Sequence, residues 1–212
     1  MICRPSNIAD EIAAVEIRAA MRGKRCWYAF LGIGCTFAME LGRKVPRDAK
    51  DIAHLERVKQ RYAKKGILDS WHPDEYLKYQ GEGHLLVWCS WRIDSEEGPL
   101  ASSDNEHDQC ESAVKRLIGK TVQEVRIGER WDMRLVLSSG LTVTVFPNYV
   151  GPNADFDGNW ELWGLEKSYL IGTDFTCEVV GRESSSVSAP RQGRKWATRE
   201  KPSPRKAAAV GK

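Results

Sequence analysis

The sequence predicts an α+β protein of mostly antiparallel sheets, in two sheet halves with a C-terminal meander, flanked by two or three helices and followed by a disordered basic tail. Three observations carry that prediction. From Lys120 onward, short period-two segments alternate with turn signals; upstream, 26–41 and 83–94 are rich in aromatic and β-branched residues; past Val180 the composition collapses to Ser, Pro, Ala, Gly, Lys and Arg.

The first element is a helix from Ile8 to Met21. Ser6 or Asn7 caps it, Gly23 stops it, and Ile8, Ile12, Val15, Ala19 and Met21 form its apolar face. Residues 26–41 then read as two largely buried strands meeting near Gly32 to Gly34. Pro46 ends the second strand. Residues 45–80 form a helical excursion, with Ile52, Leu55, Val58 and Tyr62 at helical spacing inside 49–65 and an aromatic turn at 69–76 that folds back as a lid or flanking helix.

Residues 83–94 resume strand character, and 95–106 read as a polar loop. Cys110, Val114, Leu117 and Ile118 mark a short helix that Gly119 stops. The meander follows as Thr121–Ile127, Asp132–Leu137, Leu141–Phe146, Asn159–Trp163, Ser168–Ile171 and Asp174–Val180, with Ser138-Ser139-Gly140 supplying a tight turn. The organisation expected is one α+β unit over 1–183, with halves of about 1–103 and 104–183, and a tail over 184–212. The N-terminal and C-terminal sheets are expected as pseudo-equivalent halves packed together.

Charge separates the two parts. Residues 184–212 hold eight Lys or Arg against the single acidic Glu200, a charge of +7, which leaves 1–183 at −4 within the chain's +3. A global basic footprint for nucleic acid is therefore not present in the body. The tail alone suggests one, with Arg191, Arg194, Lys195 and Arg199 around the stackable Trp196. No apolar run reaches the ~20 residues that cross a bilayer, and Met1 to Ser6 carries no basic-then-apolar leader, so the expectation is a cytoplasmic protein with no membrane partner. The six cysteines are scattered, without C-x-x-C or Cys/His ligand spacing, and read as reduced thiols.

Chemistry-bearing motifs are sparse. Asn153-Ala154-Asp155-Phe156-Asp157-Gly158 imitates the start of a calcium loop, but Gly164 stands where a bidentate Glu is needed. Gly32-Ile33-Gly34 lacks the third glycine of a dinucleotide fingerprint, and no Walker-type G-x-x-x-x-G-K-S/T, G-x-S-x-G or H-E-x-x-H occurs. The reading assigns no catalytic residues, no cofactor and no metal. An unrecognised site built from His72, Asp74, Glu75 or His84 is the enzymatic alternative.

Tryptophan is more informative, since an indole with one wet edge suits a contact surface. Trp71 and Trp131 lie in turns and are the first candidates for protein contact, joined by His72, Trp160, Asp155 and Asp157.

The stretch Gly81-Glu82-Gly83-His84-Leu85-Leu86-Val87-Trp88-Cys89-Ser90-Trp91-Arg92-Ile93, preceded by Phe37-Ala38-Met39-Glu40-Leu41-Gly42, resembles a class of uncharacterised bacterial proteins. Their second half matches here Leu117 to Val122, Leu135 to Leu141, Val145-Phe146-Pro147 and Asn159 to Trp163. The resemblance spans roughly 26–180, interrupted at 45–80. It implies a small α+β domain without assigned catalytic residues, of the kind found as immunity or accessory components of bacterial conflict systems. The expectation is a non-enzymatic module that binds another protein, with nucleic-acid association through the tail as the alternative.

Overall fold

The computed structural model describes residues 8–32, 36–64, 74–148, 158–164 and 166–181. Its elements are helix α1 (Ile8–Met21), strands β1 (Cys26–Leu31) and β2 (Phe37–Pro46), helices α2 (Ala49–Lys64) and α3 (Asp74–Lys78), strands β3 (Tyr79–Val87), β4 (Ser90–Ser95) and β5 (Gly98–Ser102), and helix α4 (His107–Lys115). Strands β6 (Val122–Ile127), β7 (Met133–Leu137), β8 (Thr142–Phe146), β9 (Trp160–Gly164), β10 (Lys167–Ile171) and β11 (Cys177–Gly181) complete the chain. No described helix is long and apolar enough to cross a membrane.

The strands make two antiparallel sheets, β1-β2-β3-β9-β10-β11 and β5-β4-β8-β7-β6. Each sheet draws strands from both halves of the chain, so the expected N-terminal and C-terminal sheets do not exist as separate layers. Two further expectations are corrected. Residues 83–94 are two strands in different sheets, because the chain leaves the first ladder at Trp88 and Cys89, whose N–H groups both bond to the Asn159 carbonyl. Within the loop expected at 95–106, Gly98–Ser102 pairs with β4 as an edge strand; only Ala101 of its five residues is buried, so Gly-Pro-Leu-Ala-Ser carries no alternating apolar pattern.

The facing sides of the sheets supply one core. Phe37, Met39, Leu41, Leu85, Val87, Trp160 and Leu162 of the first sheet meet Trp91, Ile93, Met133, Leu135, Leu137, Val143 and Val145 of the second. Alternate residues point inward along β4, β7 and β8, as period-two segments require, whereas the bulges in β1 and β6 interrupt that period. Helix α1 packs against β6 and β11, and α4 against β1 and β5, so each helix closes one open side of the sandwich.

The register shows an internal duplication. In the β1–β2 hairpin Cys26 opposes Leu41, then after a bulge Tyr28 opposes Glu40 and Leu31 opposes Phe37. In the β6–β7 hairpin Val122 opposes Leu137, then after a bulge at the same place Glu124 opposes Val136 and Ile127 opposes Met133. The third strands continue the match: Val87 pairs with Phe37 as Val145 pairs with Met133, and the buried Trp160 and Trp91 follow at equivalent places on the fourth strands.

The two units clasp each other reciprocally. Gly23 N–H donates to Val122 O at 2.8 Å and Gly119 N–H to Cys26 O at 2.6 Å, while Cys26 N–H bonds Lys120 O and Val122 N–H bonds Lys24 O. Both glycines sit at positive φ, +78° and +85°, Gly23 just past the end of α1 and Gly119 at the end of the turn that follows α4, which is why glycine recurs there.

Candidate functional site

The duplicated units differ at one place. Between β7 and β8 the second unit has the short turn Ser138–Gly140, whereas between β2 and β3 the first carries the whole α2–α3 excursion. Under that excursion, on the outer face of the first sheet, four residues stand opposite one another across four strands: Tyr28 on β1, Glu40 on β2, His84 on β3 and Trp163 on β9. Glu124, Val136 and Thr142 are the counterparts of the first three in the second unit.

Glu40 is fully buried. Its Oε1 accepts from Arg47 Nη2 at 3.2 Å and meets His84 Nδ1 at 2.9 Å, and its Oε2 accepts from the Gly81 N–H at 2.6 Å. Burial alone pushes this carboxyl up, but His84, the Gly81 amide and the Arg47 guanidinium outweigh it and hold Glu40 below the usual carboxylate range. Position 81 has to be glycine, because a Cβ there would fall 2.6 Å from the backbone nitrogen of Leu41.

Arg47 is held from every side. Its Nε donates to the carbonyls of Tyr76 and Tyr79, both at 3.1 Å, Nη1 to Gln80 Oε1 at 3.3 Å, and its guanidinium lies 4.7 Å from the centre of the Tyr76 ring. The His84 imidazole stacks on Trp163 at 4.7 Å and 12°. Tyr76 also packs against Tyr28 and Phe30 at 5.0 and 5.3 Å, and burial raises the phenols of Tyr28 and Tyr76. The cluster therefore fixes a charge and an oriented imidazole inside the sheet face, and it ties the return of the excursion at 76–81 to the strand from which the excursion leaves.

Around it lies a polar rim. Glu82 pairs with Lys24 and with Arg43, the latter at 3.0 Å, and Lys44 bonds Glu75 at 2.5 Å while sitting over the Trp27 ring. Asp74 pairs with Lys59 at 3.2 Å. Of the enzymatic set suggested by the sequence, Asp74 and Glu75 are thus engaged by lysines and His84 belongs to Glu40. Glu40 and Arg47 were missed. The available signal was an ionisable residue inside each of two apolar strand runs, Phe37-Ala38-Met39-Glu40-Leu41 and His84-Leu85-Leu86-Val87, since such residues are buried only with partners.

The interaction candidates fare differently. Trp131 is not at the surface: it is buried, with φ +62°, and its carbonyl accepts the Trp160 indole N–H at 2.8 Å. Trp160 is buried too, its ring edge-on to Trp131 at 6.5 Å. The Trp160 indole N–H is satisfied internally and the Trp131 side chain is buried, which removes the wet edge that made them candidates. Trp71, His72, Asp155 and Asp157 lie outside the described residues, as do Arg191, Arg194, Lys195, Trp196 and Arg199. Among the described residues no three His, Cys, Asp or Glu side chains converge to hold a metal ion.

A second feature lies on α1. The helix forms over the expected residues, but of its expected apolar face only Met21 enters the core, beside Ala13 and Ile17, while Ile8, Ile12 and Val15 are 74%, 54% and 56% exposed. This helix is apolar on two sides, and periodicity alone does not choose between them. Beside Val15 and Ala19 runs a groove of about 720 Å³, lined by Arg18 and Arg22 of the helix and by Gln123, Glu124, Val125 and Val136.

Fold and site together define an internally duplicated two-sheet α+β protein with a buried Glu–His–Arg cluster in one unit and an outward aliphatic stripe on its first helix. Comparison with known family models, curated proteins and solved structures finds no match for the chain.

Proposed function

We propose that the chain is a non-enzymatic protein-binding module, of the immunity or defence-associated kind that its sequence resembles, and that it docks through the outward face of α1. The observation that carries this reading is the exposed stripe of Ile8, Ile12 and Val15. Single exposed aliphatics are ordinary, but three on one helix face beside a groove form a patch of the sort that marks contact sites. The partner presents a complementary apolar ridge, and the groove's Arg18 and Arg22 favour acidic side chains on that ridge's flank.

The test replaces Ile12 by a photo-crosslinking amino acid in cells and, as a control, places the same group at Thr144 on the outer face of the second sheet. A discrete protein adduct from position 12 and none from position 144 is expected. No adduct from position 12, or equal adducts from both, overturns the docking face.

A further inference from the structure

We infer that the occupant of this face is α1 of a second copy of the chain, lying antiparallel to the first. The inference rests on the docking face proposed above and names its partner. Ile8, Ile12, Val15 and Ala19 follow one another at intervals of four, three and four residues, which is the seam spacing of a coiled coil, with Ile8 and Val15 at one of its two core positions and Ile12 and Ala19 at the other. All four are exposed in the single chain, on the side of the helix opposite Ala13, Ile17 and Met21. A seam that faces away from its own core has no other surface of this chain to meet among the described residues.

Charge selects the orientation. Glu11 and Arg18 occupy the same flanking position of consecutive heptads, on the groove side of the seam, and Glu16 flanks the opposite side. In an antiparallel pair like flanks meet, so Glu11 of each helix faces Arg18 of the other, twice by symmetry. In a parallel pair unlike flanks meet, and Glu11 would face Glu16. Within its own chain Glu16 bonds Lys167 Nζ at 2.5 Å and the Tyr169 hydroxyl at 3.0 Å. The antiparallel arrangement also seats the first turn of the second helix beside Arg18 and Arg22, at the groove. Because the seam covers only two heptads, the dimer is weak and depends on concentration.

Sedimentation equilibrium of the full chain across the micromolar range is the test. The wild type is expected to dimerise, and Ile12→Glu to be monomeric, with the melting temperature that the wild type shows when diluted to monomer, since its side chain is not in the core. Glu11→Arg and Arg18→Glu are each expected to weaken the dimer roughly tenfold, and the double exchange to restore it. A dimer that Glu11→Arg strengthens overturns the antiparallel orientation. A monomeric wild type that still gives a crosslink at position 12 to a different protein overturns this inference and leaves the docking face standing; a monomer with no crosslink ends both. If removal of 184–212 turns a monomer into a dimer, the tail is the occupant and the inference falls.

Discussion

Glu40→Gln isolates the charge of the buried cluster while keeping its shape. Hydrogen bonds involving a charged group contribute about 1.5–3 kcal/mol each, and Glu40 makes three, to His84, Arg47 and the Gly81 amide. Against this stands the several kcal/mol by which burying an ion disfavours the native state, which the neutral amide avoids. The net loss expected at neutral pH is about 2–4 kcal/mol, or a fall in melting temperature of about 4–16 °C for a folded part of this size. The pH dependence follows from the direction of the shift. Because Glu40 titrates below its ordinary value of 4.5 when folded, its contribution is complete above that value and is lost as pH falls through the depressed folded pKa. Urea unfolding of wild type and Glu40→Gln from neutral pH down to pH ~3 measures the difference directly. It should be full at neutral pH and shrink progressively in acid; a difference below ~0.5 kcal/mol at neutral pH, or one unchanged in acid, refutes the argument.

Three further outcomes are expected. Trp160→Ala should cost about 3–5 kcal/mol, through the cavity and the lost bond to the Trp131 carbonyl, and calorimetry should show Trp160→Phe between it and the wild type. The thiols of Cys26, Cys89 and Cys177 are pushed up to about 12 by burial, so peptide mapping after maleimide treatment at mildly alkaline pH should leave them unlabelled until denaturant is added. A 1–183 truncation should melt where the full chain does, and any salt-sensitive retention on immobilised nucleic acid should vanish with the tail; a large loss of thermal stability would contradict the reading of 184–212 as a dispensable basic segment.

Sequence reading located elements better than it placed them. The meander is recovered within a residue or two over Val122–Ile127, Met133–Leu137 and Thr142–Phe146: the last two have one face in the core and one outside, with the alternation printed in the residues, while the bulged first is bracketed by Gly119 and Gly128. Where both faces are covered the signal fails. Phe37 to Leu41 are buried without exception, so the burial pattern of that run does not separate the face of Glu40 from that of Met39 and Leu41, and only the charge of Glu40 marks it out. The misassigned face of α1 has a similar origin, since two apolar faces satisfy the same periodicity. Trp131 was misplaced for another reason: a turn was equated with the surface, although this turn, closed by Gly128 N–H to Asp132 O, folds its indole inward against Trp160. Duplication was legible only as a suspicion, because the shared register survives in pairing and in the two clasp glycines while few side chains repeat.

That repeat makes one experiment decisive for what sustains the buried cluster. In the second unit, Leu137 and Leu141 are joined by Ser138-Ser139-Gly140; the corresponding positions in the first are Leu41 and Gly83. Replacing residues 42–82 by Ser-Ser-Gly therefore asks the first unit to adopt a connection that the second already uses. The sandwich should still fold, because the clasp of 23–26 with 119–122 and the facing core residues of β1, β2, β3 and β9 are untouched. It should be less soluble, with Tyr28 and Phe30 losing the cover of Tyr76. Glu40, however, would lose Arg47, the Gly81 amide and its burial together, and would become a solvated surface carboxylate like any other. Glu40→Gln should then change stability by less than ~0.5 kcal/mol in the shortened chain, against about 2–4 kcal/mol in the full one. Equal costs in both would mean that the sheet alone creates the demand for the charge, and that the excursion merely lies over it.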